Sequence, residues 1–234
     1  MTASWPCSPW PRAASVASSP CSDAFSRRAP RSPSASERPL VLATTNRAKA
    51  REMAALLAGI PFRILSLDDF PRVTLPPEGE SSYADNARGK ARAVAAATGE
   101  LALADDSGIE VDALGGGPGV LSARYGGPGL SDPERCQVML REMTGVPRER
   151  RTARFRCLIA VIDPGRRHEA TLEGVVEGVL LETPRGEGGF GYDPLFFYAP
   201  LGRSFAELAP EEKNRVSHRA RAVSQARAWL LSQP

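Results

Sequence analysis

Leu101-Ala102-Leu103-Ala104-Asp105-Asp106-Ser107-Gly108 decides the fold. A four-residue apolar run, short enough for a buried strand, stops at two adjacent carboxylates followed by turn-forming residues. In α/β proteins ligands and reactive groups gather at the carboxyl ends of strands. Neighbouring carboxylates repel unless a proton or a cation lies between them. The pair therefore reads as a shared-proton dyad or as ligands for a hard metal ion. A solvated Asp-Asp-Ser-Gly turn is the competing reading, since these residues also dominate turns. Ile109 to Val111 continues the strand after a kink.

Working outward, Leu40 to Ala43 is another short buried strand, and Ala50, Met53, Ala54 and Leu57 follow at helical spacing up to Gly59. Phe62 to Leu67 is a further strand. Ser82 with Asp85 resembles a capping box that opens a helix through Ala97, ended by Gly99. Asp132-Pro133 caps a helix to about Met143. Beyond it the pattern turns antiparallel: Phe155 to Ile162, a turn at Asp163-Pro164-Gly165, then Glu169 to Leu172, Val175 to Leu181 and Leu195 to Tyr198. Ser217 caps a closing helix with Ala222, Val223, Ala226, Trp229 and Leu230 on one face. No internal repeat occurs. These elements predict an α/β fold, a mixed β-sheet flanked by helices, with two lobes and a cleft between them, formed by one domain over residues 39–234.

The chain has 234 residues and a net charge of +3. Residues 1–38 carry five arginines against Asp23 and Glu37, a balance of 5 − 2 = +3, so the remainder is neutral. A neutral body argues against a nucleic-acid polymer as partner, because such binders carry a basic face. Residues 1–38 are rich in Ser, Pro and Arg, lack hydrophobic periodicity and read as a disordered extension. Their Arg-rich, acid-poor composition also resembles an organelle transit peptide, and an upstream-extended start codon is the other reading. Cys7, Cys21, Cys136 and Cys157 show no metal-ligand spacing and suit a cytoplasmic protein with free thiols. No apolar run reaches the length of a membrane span.

Three stretches carry chemistry. Of 30 basic residues only Lys49, Lys90 and Lys213 are lysine. A compact ammonium is favoured where a point charge must meet phosphate. Thr44-Thr45-Asn46-Arg47-Ala48-Lys49 joins the first strand to the first helix, where free N–H groups and the helix dipole favour an anion. It lacks the glycines of a Walker A loop. Gly186 to Pro194 is a glycine-rich loop holding Phe190, Tyr192 and Asp193; its aromatics could stack on a base or simply pack in the core. Gly115 to Gly119 reads as a plain flexible turn. Ser217-His218-Arg219 places two basic side chains in a helix's first turn, against the dipole, a misfit that hints at function unless both reach into solvent. With two histidines and no GxSxG elbow, a Ser-His-Asp hydrolase is poorly supported.

Taken together, Leu42-Ala43-Thr44-Thr45-Asn46 with Lys49, Ala104 to Gly108 continuing through Ser122-Ala123-Arg124-Tyr125, Gly188 to Pro194, and Glu212-Lys213 with Ser217-His218-Arg219 resemble the inosine/xanthosine triphosphate pyrophosphatase family, which acts on noncanonical purine nucleotides. The resemblance runs from about Leu40 to Leu231. It implies Mg²⁺-dependent hydrolysis of a purine nucleoside triphosphate to the monophosphate and pyrophosphate, and a homodimer. By position, Thr44, Thr45, Asn46, Arg47, Ala48 and Lys49 would bind the triphosphate. Asp106 would ligate magnesium and accept the proton of the attacking water, with Glu78 as a second metal carboxylate. Ser107, Phe190, Gly191, Tyr192, Asp193, Lys213, His218 and Arg219 would contact substrate. Glu78-Gly79-Glu80-Ser81-Ser82-Tyr83 departs from the family's usual Glu-x-Gly-x-Ser/Thr-Phe run, so Glu80 competes with Glu78.

Elementary chemistry is consistent with these roles. Successive strand residues face opposite sides, so Asp105 and Asp106 share one ion only across a bend; otherwise only one is a direct ligand. Hypoxanthine and xanthine offer an O6 acceptor where adenine offers an amine, so donors from Arg219, His218 or backbone favour the former. Two alternatives stand beside this: a Maf-like nucleotide pyrophosphatase with another base preference, and a nucleotide-binding module without turnover.

Overall fold

The computed structural model describes residues 38–233. Apart from Arg38, the extension read as disordered lies outside the described residues. A seven-stranded sheet runs β2-β1-β3-β4-β5-β6-β7, with β1 Arg38–Leu42, β2 Phe62–Leu65, β3 Leu101–Val111, β4 Thr152–Asp163, β5 His168–Leu180, β6 Phe196–Tyr198 and β7 Arg203–Ser204. β1 is parallel to both β2 and β3, and every other pairing is antiparallel. The helices are α1 Arg47–Leu56, α2 Tyr83–Thr98, α3 Asp132–Glu142, α4 Pro210–Val216 and α5 His218–Ser232. The mixed α/β architecture expected from the sequence is the one observed.

Side-chain alternation along β1 and β3 sorts the core into layers. Leu40, Leu42, Leu101 and Leu103 face α1 and α5, where Met53, Leu57, Ala222, Val223, Ala226 and Leu230 complete one cluster. Val41, Ala43, Ala102 and Ala104 face α2 and meet Ala87, Ala91, Val94 and Ala95. Alanines on both sides of that contact bring the helix axis close to the sheet. A third cluster fills the far half of the long strands, where Ile109, Val111, Phe155, Val176 and Phe196 pack under Met139 of α3 and Met143 at its C-terminal cap, and against Phe205. Arg151 is buried in this lobe and donates to the carbonyls of Met143, Val146, Leu180 and Leu181.

Five local expectations change. β3 does not end or kink at Asp105-Asp106; it runs unbroken for 11 residues, because β4 pairs with it from Ala102 to Val111. Glu169 to Leu172 and Val175 to Leu181 are one 13-residue strand. Gly174 sits inside it, where a Cβ would come 2.1 Å from the His218 carbonyl oxygen, so the glycine admits α5 rather than ending the strand. The cap of α3 is Ser131, reciprocated by Glu134, with Asp132 the first helical residue. At α2 only half the expected box forms: Ser82 accepts from the Asp85 N–H, and no return bond from Asp85 is made. Gly115 to Gly119 is a fixed turn, with Gly116 donating to Val111 and Val111 to Gly117.

Candidate active site

The parallel pairing of β1 with β3 stops at Leu103, and the chain leaving β1 turns away into α1. From Asp105 onward β3 has a strand neighbour only on its β4 side. The edge so exposed forms the wall of a cleft of about 330 Å³. Thr44, Thr45, Asn46 and Lys49 line it from the β1–α1 junction, Glu78 and Lys90 from α2 and its approach, and Asp106 and Ser107 from β3. Phe190 to Asp193, Lys213, His218 and Arg219 close the other end. All three lysines of the chain meet here.

The two aspartates face opposite ways, as an unbroken strand requires. Asp105 is fully buried on the α5 side, 3.0 Å from Lys49 Nζ and 3.2 Å from Arg219 Nη2, and accepts from Ser107 Oγ at 3.1 Å. Burial disfavours its charge, yet Lys49, Arg219 and Lys90 outweigh that and hold the carboxyl well below its ordinary value. Asp106 faces α2, where Asn86 Nδ2 donates to Oδ2 at 2.9 Å and the Ser107 N–H to Oδ1 at 2.9 Å. Here burial prevails over Lys90, Asn86 and Lys49, and the carboxyl is pushed up. Asp106 is thus the more basic of the pair. Asp105 is an ion-pair partner.

Asn86 also exchanges two hydrogen bonds with the Gly79 backbone, at 2.7 and 3.1 Å, so one side chain ties the Glu78 loop to Asp106. Glu78 Oε1 accepts from Lys90 Nζ at 2.6 Å. Burial raises the Glu78 carboxyl, but Lys90, Lys49 and Arg124 bring it below normal. Glu80 is exposed and does not line the cleft, which favours Glu78 in their competition.

At the opposite end Lys213 donates to Asp193 at 2.5 Å and to Glu52 at 2.9 Å, while Arg219 donates to Glu52 at 2.6 Å and to Ser107 Oγ at 2.9 Å. Lys213 Nζ lies 4.6 Å and the Arg219 guanidinium carbon 5.5 Å from the centre of the Phe190 ring. Asp193 accepts the Phe190 N–H at 2.9 Å, and Gly189, at φ +71°, leaves room for that carboxylate. His218 stacks on Phe155 with ring centres 4.6 Å apart. Burial, then Arg219 and Lys213, lowers its imidazole well below the usual value, so it is neutral at pH 7. The misfit of basic residues at the start of α5 is thereby explained: His218 and Arg219 are buried, and neither reaches into solvent.

Of the residues expected from the sequence, Arg47 and Ala48 do not line the cleft; Arg47 is exposed. Asn46 caps α1 by accepting from the Ala48 and Lys49 N–H groups. Tyr192 lines the cleft but is buried, and its hydroxyl donates to the Ser122 carbonyl at 2.8 Å, which holds the loop. Glu52, Asn86, Asp132 and Arg135 were not legible as site residues. Glu52 follows Lys49 by three positions, one helical turn, and that spacing is its only signal.

A model of the Ham1 family matches residues 40–229. The dITP/XTP pyrophosphatase of Geobacter sulfurreducens is 52% identical over 185 residues, 79% of this chain and 92% of that protein. The dITP/XTP pyrophosphatase of Symbiobacterium thermophilum is 54% identical over 190 residues, 81% of this chain and 93% of that protein. The structure of a HAM1 protein from Coxiella burnetii superposes with a TM-score of 0.74 at 38% identity, covering 84% of this chain and all of that one.

Proposed function

The chain belongs to the Ham1 family, and we propose that it hydrolyses noncanonical purine nucleoside triphosphates, ITP, dITP and XTP, to the monophosphate and pyrophosphate. One observation carries the reading. The only three lysines converge on a cleft that also holds Asp106 and Glu78 at one end and Phe190 with Arg219 at the other. That arrangement suits a polyanion joined to a flat, hydrogen-bonding ring. The names of the curated relatives specify such substrates.

Lys49 and Lys90, with Thr44, Thr45 and Asn46, would neutralise and orient the triphosphate as point charges and as hydroxyl and amide donors. Asp106 and Glu78 offer carboxylate oxygens alone, a hard donor set. Among the described residues no group of three potential metal ligands exists. Two carboxylates plus phosphate oxygens and water match the way Mg²⁺ is held, and the incompletely compensated charge of Asp106 favours a cation. Bound there, Mg²⁺ would neutralise charge developing on the phosphate oxygens and polarise water. Asp106, its basicity raised by burial and its carboxylate aimed by Asn86 and the Ser107 N–H, would take the proton from the attacking water.

At the base end, Phe190 gives a stacking surface, and Arg219 and His218 present donors to an O6 acceptor. An adenine amine in their place would leave buried donors unpaired, a mismatch that can cost about 10⁴-fold in kcat/KM. Initial rates on a panel of triphosphates with Mg²⁺ test this assignment. ITP and XTP should exceed ATP; preference for dTTP or UTP would favour the Maf-like alternative, and tight binding without pyrophosphate release the binding module. A homodimer is proposed on the family resemblance, and light scattering after size exclusion decides it by giving twice the chain mass or not.

A further inference from the structure

Phe190 lies between two glycines with positive φ, Gly189 at +71° and Gly191 at +61°. Glycine takes that conformation without steric cost and leaves it as easily, so the backbone alone does not fix where the ring points. Tethers must. One is Asp193, which holds the Phe190 N–H. The others come from α3, which no motif of the sequence connects to substrate. The Gly191 N–H donates to Asp132 Oδ2 at 2.7 Å, and one turn further on the Cys136 thiol donates to the Gly191 carbonyl at 3.5 Å.

We propose that the first turn of α3 is a latch that holds Phe190 over the base end of the cleft, with Asp132 as its positioning residue. The proposal rests on the nucleotide-hydrolase reading above. Both the N–H and the carbonyl of Gly191 are bound by α3, so the backbone that aims the ring at Lys213 and Arg219 shifts only if those bonds break. The anchor itself is firm. Ser131 and Glu134 form a reciprocal cap, Cys136 and Met139 are buried, and the Asp132 carboxylate sits at the positive end of the helix. An ionised acceptor makes the bond to Gly191 stronger than a neutral one would. Arg135, on the same turn, donates to the carbonyls of Tyr125 and Gly127 at 2.7 and 3.1 Å and so fixes the neighbouring wall.

The test compares Asp132→Ala with Asp132→Asn, which keeps an acceptor in place, in the full chain. Hydrogen exchange of the 186–194 segment should quicken in Asp132→Ala and stay near the parent rate in Asp132→Asn. With ITP and Mg²⁺, Asp132→Ala should raise KM about tenfold while kcat stays within about twofold, and Asp132→Asn should restore most of the loss. In a Phe190→Ala background, Asp132→Ala should add nothing, because the latch acts through that ring. Parental exchange in Asp132→Ala, or an undiminished KM effect in the Phe190→Ala background, overturns the latch. If the parent protein releases no pyrophosphate from ITP, the activity reading fails instead, and the exchange comparison still decides the latch.

Discussion

Asp105 and Asp106 are neighbours with opposite shifts, and the difference comes from what each faces. Asp105 looks toward Lys49 and Arg219, Asp106 toward an amide and a lysine already bound to Glu78. Asp105, Glu52 and Glu78 have folded-state values below the ordinary range. Their stabilisation is therefore complete above about pH 4, where the unfolded carboxyls are also ionised, and is lost as pH falls through the lower folded values. Asp106 and Asp193, both pushed up by burial, act in the opposite sense and favour the fold only until pH rises through their own values. Asp105→Asn leaves Lys49 without its carboxylate and Arg219 with Glu52 alone. It should cost about 3 kcal/mol at pH 7 and flatten the decline in stability below pH 4. Urea midpoints between pH 3 and 7 check this, and a parental midpoint at pH 7 would contradict the ion-pair account.

Elements place these residues. α2 reaches Asp106 because alanines face alanines across its contact with the sheet, and α5 reaches Asp105 because Gly174 leaves a gap in β5. Gly174→Ala would drive a Cβ into the His218 carbonyl and the Ala222 N–H, shifting the helix that carries His218 and Arg219. A loss of about 3 kcal/mol and a raised KM for ITP are expected from thermal unfolding and steady-state rates; parental values for both would mean that α5 has slack. Much at this scale was legible. The apolar run at Leu101, the cap at Ser217 and the stop at Gly99 each marked an element that exists. The continuity of β3 was not, because Asp, Ser and Gly in series are turn residues by local preference. Pairing with Arg156, Cys157 and Leu158 on β4 overrides that preference. Gly108 has its own reason, since a Cβ there would lie 2.2 Å from the Gly119 carbonyl oxygen. Glu52 stayed hidden for a different cause: an acidic residue on an amphipathic helix looks solvated until tertiary structure sets Lys213 and Arg219 against it.

At the scale of the whole molecule, three lysines from three distant stretches, at 49, 90 and 213, come to one cleft because the first turn of α1, α2 and α4 all line the space beside β3. The family match begins at residue 40, and Arg38 anchors the start of β1 through paired bonds to Asp163 at 2.6 and 2.7 Å. Removing residues 1–37 should therefore leave both the melting temperature and kcat/KM for ITP unchanged. Lost activity would assign the extension a part in the site. The central claim is that this cleft holds a purine triphosphate so that water, activated at Asp106, cleaves it to monophosphate and pyrophosphate. Phosphorus NMR of ITP with Mg²⁺ and the full chain tests that most directly. IMP and pyrophosphate should appear together in equal amounts, slowed by at least about a hundredfold in Asp106→Asn. IDP with orthophosphate as the first products, or an undiminished rate in Asp106→Asn, would contradict it.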